Sequence, residues 1–159
     1  ALHELDAVLT DAPVPASSRV RVFNHLLGEA SIGFFGVSRL AAQYRRRFPH
    51  SLDGAPVLLP AQNSDERRAL DDWFETEQLH PDVRGECEDN ALLKTFGQAG
   101  HGLFPAPTVI AREVCRQYNV VLVGIAGAVV SRYYVISAER RVKHPAVVAI
   151  TNAAHQLFA

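Results

Sequence analysis

Apolar residues along the chain fall into short runs, and the period of those runs changes from two to about three and a half. Residues 6–10 (DAVLT) form an apolar run that suits a central parallel strand, ended by Asp11, Pro13 and Pro15. Residues 19–27 alternate Val20 and Val22 against Arg21 and Phe23, a strand pattern with Gly28 as its break. Residues 31–37 (SIGFFGV) make a further strand. From Ser38 the spacing becomes helical, with Leu40, Ala41 and Tyr44 on one face of a helix over 38–48. Residues 56–60 (PVLLP) read as a strand, and Ser64 is placed to cap a helix over 65–79 that carries Leu70, Trp73 and Phe74 as its core stripe.

The segment from Val83 to Pro107 is the most informative. It reads strand, acidic loop, helix, glycine-bracketed turn, strand. Ala91, Leu92, Leu93 and Phe96 have helical spacing, Asp89 or Asn90 can cap that helix, and Gly97 or Gly100 can end it. A short strand starts at Leu103 and Phe104, with Pro105 and Pro107 as its stops. Beyond it come a helix over 108–118, a strand over 120–124, a flexible join over 124–127, a strand over 131–137 and a helix over 145–157 opened by Pro145. The order is mixed α/β with repeated strand–helix units. Two glycine-containing stretches, near 28–37 and 124–131, bracket a central block and suggest that it is inserted into an outer subdomain. Residues 2–5 read as the last turn of a helix, so the chain opens inside an element and is expected to be a segment of a longer protein.

Bulk properties narrow the class. The chain has 159 residues, 48% hydrophobic and 21% charged, with a net charge of −1. That is enough for one domain or two small subdomains and gives no overall basic field for nucleic acid. The run Arg45-Arg46-Arg47 is expected to be a solvated helix end. No apolar run approaches the roughly 20 residues of a membrane-spanning helix. The two cysteines, Cys87 and Cys115, make no CxxC pair and read as reduced thiols, Cys87 being kept unreactive by neighbouring carboxylates. Enzyme motifs are absent: the chain has no GxSxG, HExxH or phosphate-binding loop. The GQAGHG segment follows a helix, whereas a dinucleotide fingerprint precedes one, so no cofactor is expected.

HELDAVLTDAP, HLLGEASIGFF, FPHSLDGAPVLLP, GECEDNALLKTFGQAGHGLFPAP and SAERRVKHPAVVAI, in this order and spacing, resemble the effector-binding (substrate-binding) domain of LysR-type transcriptional regulators. Within that family they look most like the NhaR-type branch, sodium-responsive activators of sodium/proton antiporter genes. The resemblance covers essentially the whole chain. It implies a type 2 periplasmic-binding-protein-like fold: two Rossmann-like lobes joined by two crossing strands, the first lobe truncated at its N-terminus. On that reading residues 1–30 and 131–159 form the outer lobe, 38–124 the inserted lobe, and 31–37 and 125–130 the hinge crossings. It also implies a cytoplasmic activator, a homodimer or homotetramer, that meets promoter DNA through a helix-turn-helix domain outside this chain and can contact RNA polymerase, with no membrane partner. A solute-binding protein of a transporter shares the fold and is the alternative.

Ligands of open α/β sheets bind beyond the carboxyl ends of strands. That rule selects Thr10 and Asp11 from the outer lobe, and Gln62, Asn63, Ser64, Glu88, Asp89, Asn90 and Phe104 from the inserted one. Each polar residue also has a local duty to offer: Ser64 and Asn90 as caps, Asp11 as a turn anchor. The implied effector is a sodium ion or a small molecule. Glu86, Glu88 and Asp89 are the candidate oxygen ligands for a hard cation, although carboxylates along an extended segment are divided between its two sides and can sit in solvent. The seven histidines have no metal-ligand spacing. His101, between glycines, reads as a turn residue that could also respond to pH.

Overall fold

A computed structural model describes residues 7–15, 17, 21–138 and 144–158. The described strands and helices run in the order β1 (Val8–Thr10), β2 (Phe23–Gly36), α1 (Ser38–Tyr44), β3 (Pro56–Pro60), α2 (Asp65–Thr76), β4 (Asp82–Cys87), α3 (Asn90–Gln98), β5 (Phe104–Pro107), α4 (Ala111–Tyr118), β6 (Val121–Ser137) and α5 (Pro145–Phe158). The chain divides into two compact units, Ala1–Ala30 with Ser131–Ala159, and Ser31–Val130. β2 and β6 run through the points of division.

In the Ser31–Val130 unit, PVLLP explains itself by what covers it. Val57 and Leu59 share a core with Leu70, Trp73 and Phe74 of α2. Leu58 faces the other way, into a core with Leu93 of α3 and Val114 of α4. A strand covered on both faces needs a continuous apolar run rather than an alternating one. β4 pairs parallel with β3, from Pro56↔Asp82 to Pro60↔Cys87, with a register shift between Val57 and Leu58. On its other side Val57 bridges Leu103 in parallel. Phe34 lies against Phe48, Trp73 and Phe74, at centroid distances of 6.2, 6.1 and 6.0 Å, so Trp73 is a core residue.

The Ala1–Ala30 and Ser131–Ala159 unit is built on β1 paired with β6, Val8↔Ile136 to Thr10↔Tyr134, with α5 packed through Val147 against Leu27 and Val135. The pairing is antiparallel and β1 lies at the edge of a sheet of order β1-β6-β2-β5. DAVLT is therefore not a central parallel strand. An edge position accounts for Val8 and Leu9 standing in solvent.

Further sequence expectations change, each for a physical reason. Gly28 does not break β2, because it is a place of close approach: a Cβ there would stand 2.3 Å from Phe158 Cγ. Gly124 does the same in β6, where a Cβ would meet Phe48 Cγ at 2.3 Å, so the expected flexible join is continuous strand. β5 runs through Pro105 and Pro107, paired with Phe34 and Ile32. Being an edge strand, it tolerates residues that cannot donate. The helix expected over 38–48 tightens into a 3-10 turn at Arg45–Arg47, all three exposed. Gly97 sits inside α3, where a Cβ would lie 2.1 Å from Phe104 Cδ1, while Gly100, at φ +80°, takes the left-handed turn that follows. The helix expected at residues 2–5 falls outside the described residues. No helix among the described residues is long and apolar enough to cross a membrane.

Candidate functional site

β3 and β4 end side by side because they are parallel neighbours, and each is followed directly by a polar loop and a helix. Ala61 N–H donates to Cys87 O at 3.0 Å, which ties the two loops together where the strands finish. The loop after β3 carries Gln62 and Asn63, both exposed, and then Ser64. Ser64 Oγ donates to Ala61 O at 2.9 Å and accepts from Arg67 N at 3.1 Å, so it caps α2. The loop after β4 carries Glu88, Asp89 and Asn90, all exposed. Asp89 Oδ1 accepts from Ala91 N at 2.6 Å and Leu92 N at 3.4 Å, which makes it the cap of α3 and leaves Asn90 as the first helical residue.

An arginine that the sequence reading passed over organises this end of the unit. Arg67 is buried at 7% exposure. Its Nε donates to Asp71 Oδ1 at 2.9 Å, and its Nη1 donates to Pro60 O at 2.9 Å and Glu86 Oε1 at 2.8 Å. Gln62 Nε2 donates to the same Glu86 oxygen at 3.3 Å. Burial works against the Arg67 charge, but the hydrogen bonds and charges of Asp71 and Glu86 outweigh it and hold the guanidinium pKa up. The hydrogen bond from Arg67, followed by that from Gln62, holds the Glu86 carboxyl below its ordinary value. The signal available in the sequence was an acidic residue, Asp71, four positions after Arg67 on a helix.

The three candidate cation ligands are thereby separated. Glu86 turns toward α2 and is held by Arg67, Asp89 is occupied in capping, and Glu88 stands in solvent. Glu86 lies in β4, whereas Glu88 and Asp89 come after the strand ends at Cys87, so no common face gathers them. Among the described residues no three His, Cys, Asp or Glu side chains converge as a metal site. The oxygen donors present at the loops are of the type a hard cation takes, but they are not gathered into a preformed cluster.

Phe104 lies elsewhere. Its ring is fully enclosed, stacked on Phe35 at 5.9 Å, and it belongs to the core. Thr10 and Asp11 belong to the other unit. Thr10 Oγ1 is 3.1 Å from both the amide nitrogen and the carbonyl oxygen of Ala12, closing a turn, and Asp11 is exposed. Cys87 and Cys115 are free thiols, and burial, with Asp89 second, pushes the Cys87 thiol up.

Comparison with known proteins identifies the family of the chain. The LysR substrate binding domain family matches residues 2–159. Transcriptional activator protein NhaR of Escherichia coli (strain K12) is 32% identical over 150 residues, covering 94% of this chain and 49% of that protein. The chain thus spans about half the length of the curated relatives it matches. The apo regulatory domain of HypT from Salmonella typhimurium superimposes with a TM-score of 0.68 at 14% identity, covering 95% of this chain and 73% of that one. The effector binding domain of QuiR, solved with shikimate, gives 0.67 at 14% identity, covering 98% and 73%. These likenesses show the α/β fold of LysR regulatory domains, and the chain belongs to the LysR substrate binding domain family.

Proposed function

We propose that the chain is the effector-sensing part of a cytoplasmic transcriptional activator of the NhaR type, and that sodium is the effector to which it responds. The observation that carries the site is the Ala61–Cys87 backbone bond, which sets two oxygen-rich loops beside each other at the carboxyl ends of parallel strands. Gln62, Asn63, Glu88, Asp89 and Asn90 are exposed there and carry side-chain oxygens. Ser64 and Asp89 shape the loops by capping, in one lobe of a type 2 periplasmic-binding-protein-like fold; Thr10 and Asp11 are the separate candidates of the other unit.

In this reading the domain exists in two states, and the effector shifts their populations by its difference in affinity for them. The change passes to promoter DNA through a helix-turn-helix domain outside this chain, in a homodimer or homotetramer, and on to RNA polymerase.

Thermal unfolding in sodium, lithium and potassium chloride at equal ionic strength tests the effector. A ligand at 100 times its dissociation constant adds about 2.7 kcal/mol, which is about 5–10 °C in Tm for a domain of this size. Sodium is expected to raise Tm above potassium. Equal curves in the two salts contradict direct sodium sensing.

A further inference from the structure

A separate hollow opens on the α3 side of β4, within the Ser31–Val130 unit, with a volume of about 410 Å³. That lies in the range of small-molecule sites. Its floor exists because residue 85 is glycine: a Cβ there would stand 3.3 Å from Leu58 Cδ2, so the leucine's end is left facing the space. Cys87 forms a further part of the lining, half-buried. Phe96 of α3 and His101 stand at the rim, their rings 5.9 Å apart and edge to face. Phe96 is 43% exposed, so its ring is open to a flat partner.

The two charged residues that line the hollow already have partners. Arg84 Nη2 lies 2.6 Å from Asp82 Oδ2, and Glu86 Oε1 lies 2.8 Å from Arg67 Nη1. Each is thereby matched by an opposite charge, so neither Arg84 nor Glu86 is left as an unpaired charge in the lining. The thiol of Cys87, pushed up by burial, stays protonated and neutral at pH 7. What remains is an apolar floor, an aromatic side, a neutral thiol and one imidazole.

From this lining we infer that the hollow is a binding site for a small, uncharged, flat aromatic molecule. Its face would lie between Leu58 and Phe96, and one polar group would reach the His101 imidazole. The inference stands apart from the loops proposed for sodium and does not depend on them.

Indole is a suitable probe, being neutral and bicyclic with a single N–H. Titration of the 159-residue chain should give saturable one-to-one binding with a dissociation constant of about 1 mM or lower. Bound indole should slow alkylation of Cys87 by iodoacetamide, read by peptide mass spectrometry, and leave Cys115 unaffected. Gly85→Leu fills the hollow and should weaken indole by about tenfold or more. Phe96→Ser changes an exposed side chain, so the fold is kept if Gly85→Leu fails to fold, and it should weaken indole by about fivefold. Indole-3-carboxylate should bind no more tightly than indole. Absence of saturable binding, equal affinity in Phe96→Ser, or a carboxylate that binds tenfold better than indole overturns the proposal.

Discussion

Among the described residues the two units differ in how many large apolar side chains they enclose completely. The Ser31–Val130 unit encloses Phe34, Phe35, Leu52, Leu59, Leu70, Leu93 and Phe104 almost completely, in two cores on either side of β3. In the unit made of Ala1–Ala30 and Ser131–Ala159, the buried cluster among the described residues is Leu27, Val135 and Val147. Val8, Leu9, Phe23, Leu26, Val148, Ile150 and Leu157 of that unit stand exposed. Similar hydrophobic patterns in the sequence thus end in different states. Stability is expected to reside in the first of these units, where burial contributes about 25 cal/mol per Å² of apolar surface removed from water. The described residues of the second should open more readily, as segments with few buried apolar contacts do.

Four sets of variants bear on that contrast. The largest effect is expected at Phe34→Ala, which empties the centre of the aromatic cluster and should cost about 4 kcal/mol in chemical unfolding, against about 2 kcal/mol for Leu27→Ala in the smaller core. Equal losses would break the contrast. Next come the two close-approach glycines. Gly124→Ala drives a methyl into Phe48, itself stacked on Trp73, and should cost about 2 kcal/mol; Gly28→Ala meets Phe158 at the end of α5, which can move aside, and should cost about 1 kcal/mol. Asp89→Ala removes the α3 cap and should lower stability by about 1 kcal/mol. Amide exchange at Ala91 and Leu92 would show the loss locally.

The smallest effect concerns pH. Glu86 has its folded pKa lowered by Arg67 and Gln62, so its contribution is present above the unfolded value, near 4.5, and is lost as pH falls through the folded value. Tm measured from pH 6 to pH 3 should therefore fall more in the wild type than in Glu86→Gln. Parallel profiles would mean that the Arg67 pair is not felt in solution.

How far the sequence could be read follows from the same residues. PVLLP, and the helices capped by Ser64 and Asp89, were legible because a doubly covered strand and an N-cap each leave a local mark. The two polar loops were legible for the same reason. Gly28 and Gly124 were not, since a glycine that yields to a distant ring and one that breaks a strand look alike in one sequence. Pro105 and Pro107 misled because their tolerance depends on β5 being an edge. DAVLT gave the composition of an inner strand and took an outer place. Arg67 was missed because its three acceptors come from α2, β3 and β4, which meet only in the fold. Phe104 follows a glycine-rich turn, and nothing local says that its ring turns inward to fill the space left by Gly97.

The central claim is that the loops at 61–64 and 88–90 respond to sodium. Hydrogen–deuterium exchange in sodium chloride and in potassium chloride, at equal ionic strength and pH, tests it most directly. Slower exchange in sodium is expected for peptides covering those two loops, with β3 and α2 unchanged. Identical exchange in the two salts, or a sodium effect that leaves both loops untouched, would contradict it.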